Sequence, residues 1–270
     1  MTEQSATRVG IAGLGTVGRE IARRVSSVPG YELAGVATRD PEKAAVFLDE
    51  IDSTARSCSF GELAELAELI VECAPASLLP EIAGPVLRRG KEVIVLSVAA
   101  LLEHGNLLDL ARRHDGRITV PTGALLGLDA VAAAAEGRLE SVKITTRKPP
   151  VGLAGAPRIV ESHIDVASVT EPQLIFSGSA REAARQFPAN LNVAVALALA
   201  GVGPDKTEVS VWIDPSVTRN THLVEVESDS ARFSMTIENV PTENPRTGRI
   251  TALSVISLLR KRTSALRIGS

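Results

Sequence analysis

A strand that runs into a glycine-rich turn and then into a helix constrains this chain more than any other feature. Residues Arg8-Val9-Gly10-Ile11-Ala12-Gly13-Leu14-Gly15-Thr16-Val17-Gly18 read as a short buried strand, a Gly13-x-Gly15-x-x-Gly18 turn and the start of a helix. Each glycine has its own steric reason. Gly13 permits a tight turn, Gly15 lets the backbone approach a pyrophosphate, and Gly18 lets the helix pack close to the strand. The N–H groups at the start of the helix, around Thr16 and Val17, then face the phosphates. A purely structural glycine turn is the competing explanation. The order strand, turn, helix and second strand favours a nicotinamide or flavin dinucleotide site built on Gly13, Gly15, Thr16, Val17 and Gly18.

The rest of the first half continues the alternation. Val17, Ile21 and Val25 share one helix face. Residues 31–38 form a second strand, and Asp40-Pro41 reads as an N-cap followed by proline at the first helical position. A short strand lies near 55–58, and Ser59-Phe60-Gly61-Glu62 has capping-box spacing. Strands at 69–73, 92–97 and 117–120 flank a helix at 80–89 that stops at Gly90. Strands alternating with helices imply a parallel sheet covered on both faces.

The pattern changes after Pro121. Residues 123–135 read as a small-residue helix and 141–146 as a strand ended by Lys148-Pro149-Pro150. A Gly/Pro loop follows at 151–157, with helices at 180–187 and 190–200. Residues 208–213, 221–227 and 231–240 have period two and read as antiparallel strands. The expected class is α/β. It comprises a Rossmann-type doubly wound parallel sheet over 1–121 and a second α/β domain, with a mixed or antiparallel sheet, over 122–244. A final amphipathic helix at 249–262 is expected to pack back on the first domain.

Composition narrows the function classes. With 270 residues the chain has room for two domains, and with aromatics at 3% its core must be aliphatic. A net charge of −3 gives no reason to expect nucleic acid or an anionic membrane as partner. The longest apolar run, 193–203, is too short to span a bilayer. Cys58 and Cys73 share no metal-ligand spacing and suggest no disulfide framework, and no metal site is expected. The first apolar segment is the strand itself, so no signal peptide is visible and a reducing cytoplasm is the expected setting.

An acid at the end of the second strand commonly binds the ribose hydroxyls. Here the segment is Ala37-Thr38-Arg39-Asp40, where Arg39 suits a 2′-phosphate and Asp40 suits either a hydroxyl or the cap of the next helix. Both NAD and NADP are therefore expected. Strand ends carry Glu72-Cys73-Ala74, Ser97-Val98-Ala99 and Pro121-Thr122-Gly123-Ala124, whose small residues suit a nicotinamide ring or merely tight loops. Cys73 reads as a buried small residue, with no base paired to it in sequence. Of the four histidines, His114 ends a helix, His104 is expected in an exposed loop, and His163 carries no motif. His222 shares its strand face with Val224 and Val226, so its imidazole points to a covered face. It is either a satisfied core histidine or a proton-transfer group. Arg147, Lys148, Arg219 and Arg246 are candidates for anion recognition. Asn190 either caps a helix or bonds a nicotinamide carboxamide.

Taken in order along nearly the whole chain, these motifs resemble the L-aspartate dehydrogenase family. The resemblance is carried by Glu72-Cys73-Ala74, Ser97-Val98-Ala99-Ala100-Leu101, Thr122-Gly123-Ala124-Leu125-Leu126-Gly127-Leu128-Asp129-Ala130 and Thr146-Arg147-Lys148-Pro149-Pro150. It continues through Gly178-Ser179-Ala180-Arg181-Glu182, Phe187-Pro188-Ala189-Asn190, Gly203-Pro204-Asp205-Lys206-Thr207, Asn220-Thr221-His222 and Asn244-Pro245-Arg246-Thr247. Three segments depart from the family pattern: Ala99 for a glycine, Pro75-Ala76 for Gly-His, and Arg246-Thr247-Gly248 for Lys-Thr-Ser. The resemblance implies reversible, NAD- or NADP-dependent deamination of L-aspartate to iminoaspartate, oxaloacetate and ammonia by a homodimer or larger homo-oligomer. It implies His222 as the catalytic residue, and Ala74, Ala124 and Asn190 beside the cofactor. The alternatives are a homoserine-dehydrogenase-like or dihydrodipicolinate-reductase-like reductase, or a dinucleotide-binding regulator without catalysis.

Overall fold

The computed structural model describes residues 6–188, 191–242 and 248–269. These divide into two compact units, one of residues up to 121 with 252–268, the other of 122–251.

The first unit is built from β1 (Thr7–Ala12), α1 (Thr16–Val25), β2 (Tyr31–Ala37), α2 (Pro41–Glu50), β3 (Arg56–Ser57), α3 (Phe60–Leu66), β4 (Leu69–Glu72), α4 (Leu79–Arg88), β5 (Glu92–Val95), α5 (Asn106–Arg113) and β6 (Arg117–Thr119). Its six strands are parallel, in the order β3-β2-β1-β4-β5-β6. That order reverses direction between β1 and β4, and ligands bind beyond the carboxyl ends of strands at such a reversal. The burial explains the composition: β4 is buried at every position and β1 at its last four, as strands covered on both faces must be. Both predicted caps form. Asp40 accepts the Lys43 N–H, and Ser59 and Glu62 close a reciprocal capping box.

The second unit contains α6 (Leu128–Ala135), β7 (Leu139–Lys148), α7 (Pro157–Glu161), β8 (Gln173–Ser179), α8 (Ala180–Gln186), α9 (Asn192–Ala200), β9 (Glu208–Ile213), β10 (Asn220–Ser228) and β11 (Arg232–Asn239). Its five-stranded sheet runs β11-β10-β7-β9-β8. β10 is antiparallel to β7 and β11, and β8 is antiparallel to β9. The β7–β9 pair is parallel, so the sheet is mixed rather than wholly antiparallel. Its core joins Val142, Ile144, Val224 and Val226 of the sheet to Ala183, Ala194 and Leu197 of the helices and to Phe187 just past α8.

Two local expectations fail. The helix expected over 123–135 begins only at Leu128, because Gly123 (φ +66°) and Gly127 (φ +65°) are left-handed and cannot lie within a right-handed helix. At Gly127 a Cβ would also lie 2.1 Å from Met235 Sδ. Edge strand β8 was not anticipated, since only Leu174-Ile175-Phe176 marks it and a register shift between Leu174 and Phe176 breaks its alternation.

The final helix, α10 (Ile250–Thr263), contributes Ala252, Val255, Ile256 and Leu259 to the same core as Val9, Ile11, Ile21 and Val25. Its Arg262 forks onto the Glu92 carboxylate at the start of β5, and Thr119 donates to the same carboxylate.

Candidate functional site

In the first unit the glycine turn has the shape a pyrophosphate needs. Gly13 adopts φ +102°, and a Cβ there would lie 2.6 Å from Cys73 O. At Gly18 a Cβ would lie 1.9 Å from Gly13 O, so the turn folds back on the helix without room for one more carbon. Gly15 differs, with nothing within 4 Å of a Cβ placed there. The backbone is thus exposed where a ligand would approach it. Gly15 is also the N-cap of α1 and supplies no side-chain bond to the N–H groups of that helix. Thr16 is exposed and Val17 half-buried beside it. Uncapped N–H groups beside an open glycine fit an anionic group such as a dinucleotide pyrophosphate.

Arg39 lies exposed just beyond β2. Asp40 has its carboxylate taken up, accepting the Lys43 N–H at 3.1 Å and pairing with Lys43 Nζ at 2.9 Å. These hydrogen bonds hold its pKa below the ordinary value. Of the two readings of Asp40, the helix cap is the one the geometry realises.

The Glu72-Cys73-Ala74 motif ends β4 against the glycine turn, with the Cys73 N–H donating to Ala12 O at 2.8 Å. Burial pushes the Cys73 thiol well up, and the Glu72 charge adds to this, so the thiol stays protonated. Ala74 is half-buried in the loop that follows.

In the second unit His222 and Thr146 stand opposite each other on β10 and β7. Thr146 Oγ1 lies 3.0 Å from His222 Nδ1, and both residues are buried, His222 at 3% exposure. The alternation of β7 sets Lys148 on the face of Thr146, and Lys148 is 2% exposed. Burial, and after it the nearby Lys148 ammonium, lower the imidazole pKa to about 3. His222 is therefore neutral at physiological pH. With Nδ1 engaged by Thr146, Nε2 is the nitrogen left to meet a substrate.

The other candidates divide. Arg147 faces away from His222; its guanidinium pairs with Asp214 at 3.0 Å and lies 4.8 Å from the Trp212 ring centre. Arg219 is exposed. Ala124 is half-buried, and its carbonyl accepts from Asn239 Nδ2 at 2.8 Å. Asn190 and Arg246 lie outside the described residues. His114 caps α5. His163 sits at an exposed turn at φ +54°. His104 is half-buried rather than exposed: its N–H donates to Ala100 O, so the chain there turns back on the preceding short helix instead of running out as a free loop. The sequence reading gave Thr146 no role. Its signal was a polar residue in register with Val142 and Ile144 on the covered face of β7.

Comparisons with known proteins place each unit beside a known family. Residues 129–262 match the family described as aspartate dehydrogenase, C-terminal, and residues 13–121 match homoserine dehydrogenase, NAD binding domain. The chain is 54% identical over its full length to all of L-aspartate dehydrogenase 3 of Bordetella bronchiseptica. It is 55% identical to the L-aspartate dehydrogenase of Bradyrhizobium diazoefficiens, over 100% of this chain and 98% of that protein. Among solved structures, the aspartate dehydrogenase of Thermotoga maritima shares the fold, with TM-score 0.77 at 23% identity over 97% of this chain and 99% of that one.

Proposed function

The chain belongs to the L-aspartate dehydrogenase family, and from that premise we propose that it catalyses the reversible oxidative deamination of L-aspartate with NAD or NADP. The observation that carries the proposal is the buried, neutral His222, fixed by Thr146 within the segment that matches the aspartate dehydrogenase family. A bound nicotinamide supplies the acceptor for the hydride that leaves C2 of the substrate. Gly13, whose N–H is bonded to Ala37 O, shapes the turn, and the N–H groups of Gly15, Thr16, Val17 and Gly18 at the start of the helix face the dinucleotide's pyrophosphate, since no side chain caps that helix. Ala74, Ala124 and Asn190 enter as cofactor contacts through the family resemblance.

The chain's own proton chemistry centres on His222. Donation of Nδ1–H to Thr146 Oγ1 leaves the Nε2 lone pair as a base. As C2 gives up its hydride, the amine passes a proton to Nε2 and iminoaspartate forms; the proton returns to the imine nitrogen, giving the iminium. Water then adds at C2 and gives one proton to Nε2, which hands it to the nitrogen of the carbinolamine. The carbinol hydroxyl finally loses its proton to Nε2 as the C–N bond breaks, releasing ammonia and oxaloacetate, and that last proton leaves to solvent. A pKa near 3 suits none of these steps, because proton transfer is best served by a group titrating near the working pH. A substrate carboxylate beside the imidazole supplies the correction, since nearby negative charge favours the charged form. Lys148, on the same face, gives that carboxylate a cation. Arg39 beyond β2 accommodates a 2′-phosphate, consistent with use of both cofactors. A homo-oligomer, which the resemblance implies, and a reducing cytoplasm, which the free Cys58 and Cys73 suit, complete the proposal.

The test follows loss of NADH or NADPH absorbance with oxaloacetate and ammonium, against a control lacking ammonium. Ammonium-dependent oxidation that yields L-aspartate supports the reading. Bound cofactor with no such oxidation sinks it. His222→Ala is expected to lower turnover by roughly 10²–10⁴-fold with cofactor affinity nearly unchanged.

A further inference from the structure

Among the described residues, the proposed chemistry leaves Glu72, a fully buried charged side chain, without a role. Glu72 is 0% exposed and ends β4, the strand beside β1 where the sheet order reverses. Its carboxylate collects donors from two loops. Oε1 accepts the Ala74 N–H at 3.0 Å and the Ser97 hydroxyl at 3.0 Å. Oε2 accepts the Leu96 N–H at 3.2 Å and the Ser97 N–H at 2.9 Å. A core buried for stability alone is better filled by an apolar side chain, because removing a carboxylate from water costs several kcal/mol. Burial pushes the Glu72 carboxyl above its ordinary range, and these donors pull against it.

The loops so tied are not remote from the glycine turn. A Cβ at Gly13 would lie 2.9 Å from Ala74 N, the atom that Glu72 Oε1 holds. The carboxylate therefore sets the position of the backbone that walls the turn. We propose that Glu72 is a positioning residue for the dinucleotide site, holding the 73–75 and 96–98 loops in the shape that receives the cofactor. This rests on the dinucleotide reading of the glycine turn.

The test is the variant Glu72→Gln. Its amide has one acceptor oxygen, which serves either Ala74 or the Leu96 and Ser97 pair, while the NH₂ group confronts the other. Loss of the Ala74 tether is the expected arrangement, because it satisfies the larger number of N–H groups. The control is Glu92→Gln, which weakens an equally polar network at the opposite, amino-terminal end of the same sheet. NADH and NADPH are titrated by fluorescence, with thermal unfolding measured alongside and steady-state constants taken for oxaloacetate and ammonium.

Both variants are expected to lower Tm, which is what a structural role does. Only Glu72→Gln should weaken dinucleotide binding, by roughly tenfold, as for one lost charge-assisted hydrogen bond. Its turnover at saturating cofactor should stay within a few-fold of native. Should Glu72→Gln not fold, Ser97→Ala removes one donor and is expected to weaken binding roughly two- to threefold. Unchanged dinucleotide affinity in the folded Glu72 variant (in Ser97→Ala, if that variant alone folds) overturns the proposal, as does an equal loss in Glu92→Gln. Failure of the native chain to bind either dinucleotide refutes the underlying reading, and this proposal with it.

Discussion

Lowering the pH should destabilise the second unit through one residue, and the size of the effect follows from His222. Its ordinary pKa of 6.5 falls to about 3 in the folded chain, chiefly through burial. The folded value lies below the unfolded one, so between about pH 6.5 and pH 3 the unfolded chain binds the extra proton. The stability contribution is complete above pH 6.5 and is lost as pH falls. At 1.36 kcal/mol per pKa unit, the loss is about 2 kcal/mol at pH 5 and approaches about 5 kcal/mol below pH 3. The single tryptophan, Trp212, lies in β9 of the same unit and reports its unfolding directly. Urea unfolding followed by tryptophan fluorescence is compared between the native chain and His222→Gln at pH 7.5, 6.0 and 5.0. The difference in unfolding free energy between the two proteins should shift by about 2 kcal/mol over that range, against the native chain. Parallel pH dependences would refute the argument, because they would mean that the imidazole is not held neutral in the fold.

Three further outcomes are expected. Thr146→Val keeps the shape but removes the hydroxyl 3.0 Å from Nδ1; kcat should fall roughly tenfold with dinucleotide affinity unchanged, read by steady-state kinetics. Arg39→Ala should lower kcat/KM for NADP relative to NAD roughly tenfold, since Asp40 is already committed to Lys43; an unchanged ratio places the 2′-phosphate elsewhere. Gly15→Ala should fold with nearly native Tm yet bind NADH at least tenfold more weakly, whereas Gly18→Ala should lower Tm sharply; the two Cβ atoms meet open space and Gly13 O respectively.

The two classes of residue were unequally legible in the chain. Local rules sufficed wherever neighbours in sequence are neighbours in space. The Gly13–Gly18 turn, the Asp40 cap, the Ser59–Glu62 box and the parallel alternation all follow from contacts within a few residues, so composition and spacing predict them. The covered direction of His222 also followed, because strand alternation places it with Val224 and Val226. What the imidazole meets there was not legible. Thr146 lies 76 residues away, and only the β7–β10 register brings its hydroxyl to Nδ1. The same holds for Glu72, whose partners at 96 and 97 follow β5, the next strand of a parallel sheet. The late start of α6 had a tertiary cause as well, since Met235 occupies the space beside Gly127. Sequence determined the elements, the parallel sheet and the phosphate-binding turn, because short-range sterics and hydrogen bonding set these. Only the tertiary structure decided the protonation of His222 and the partners of Glu72, because pKa and polar satisfaction depend on burial and on side chains distant in the chain.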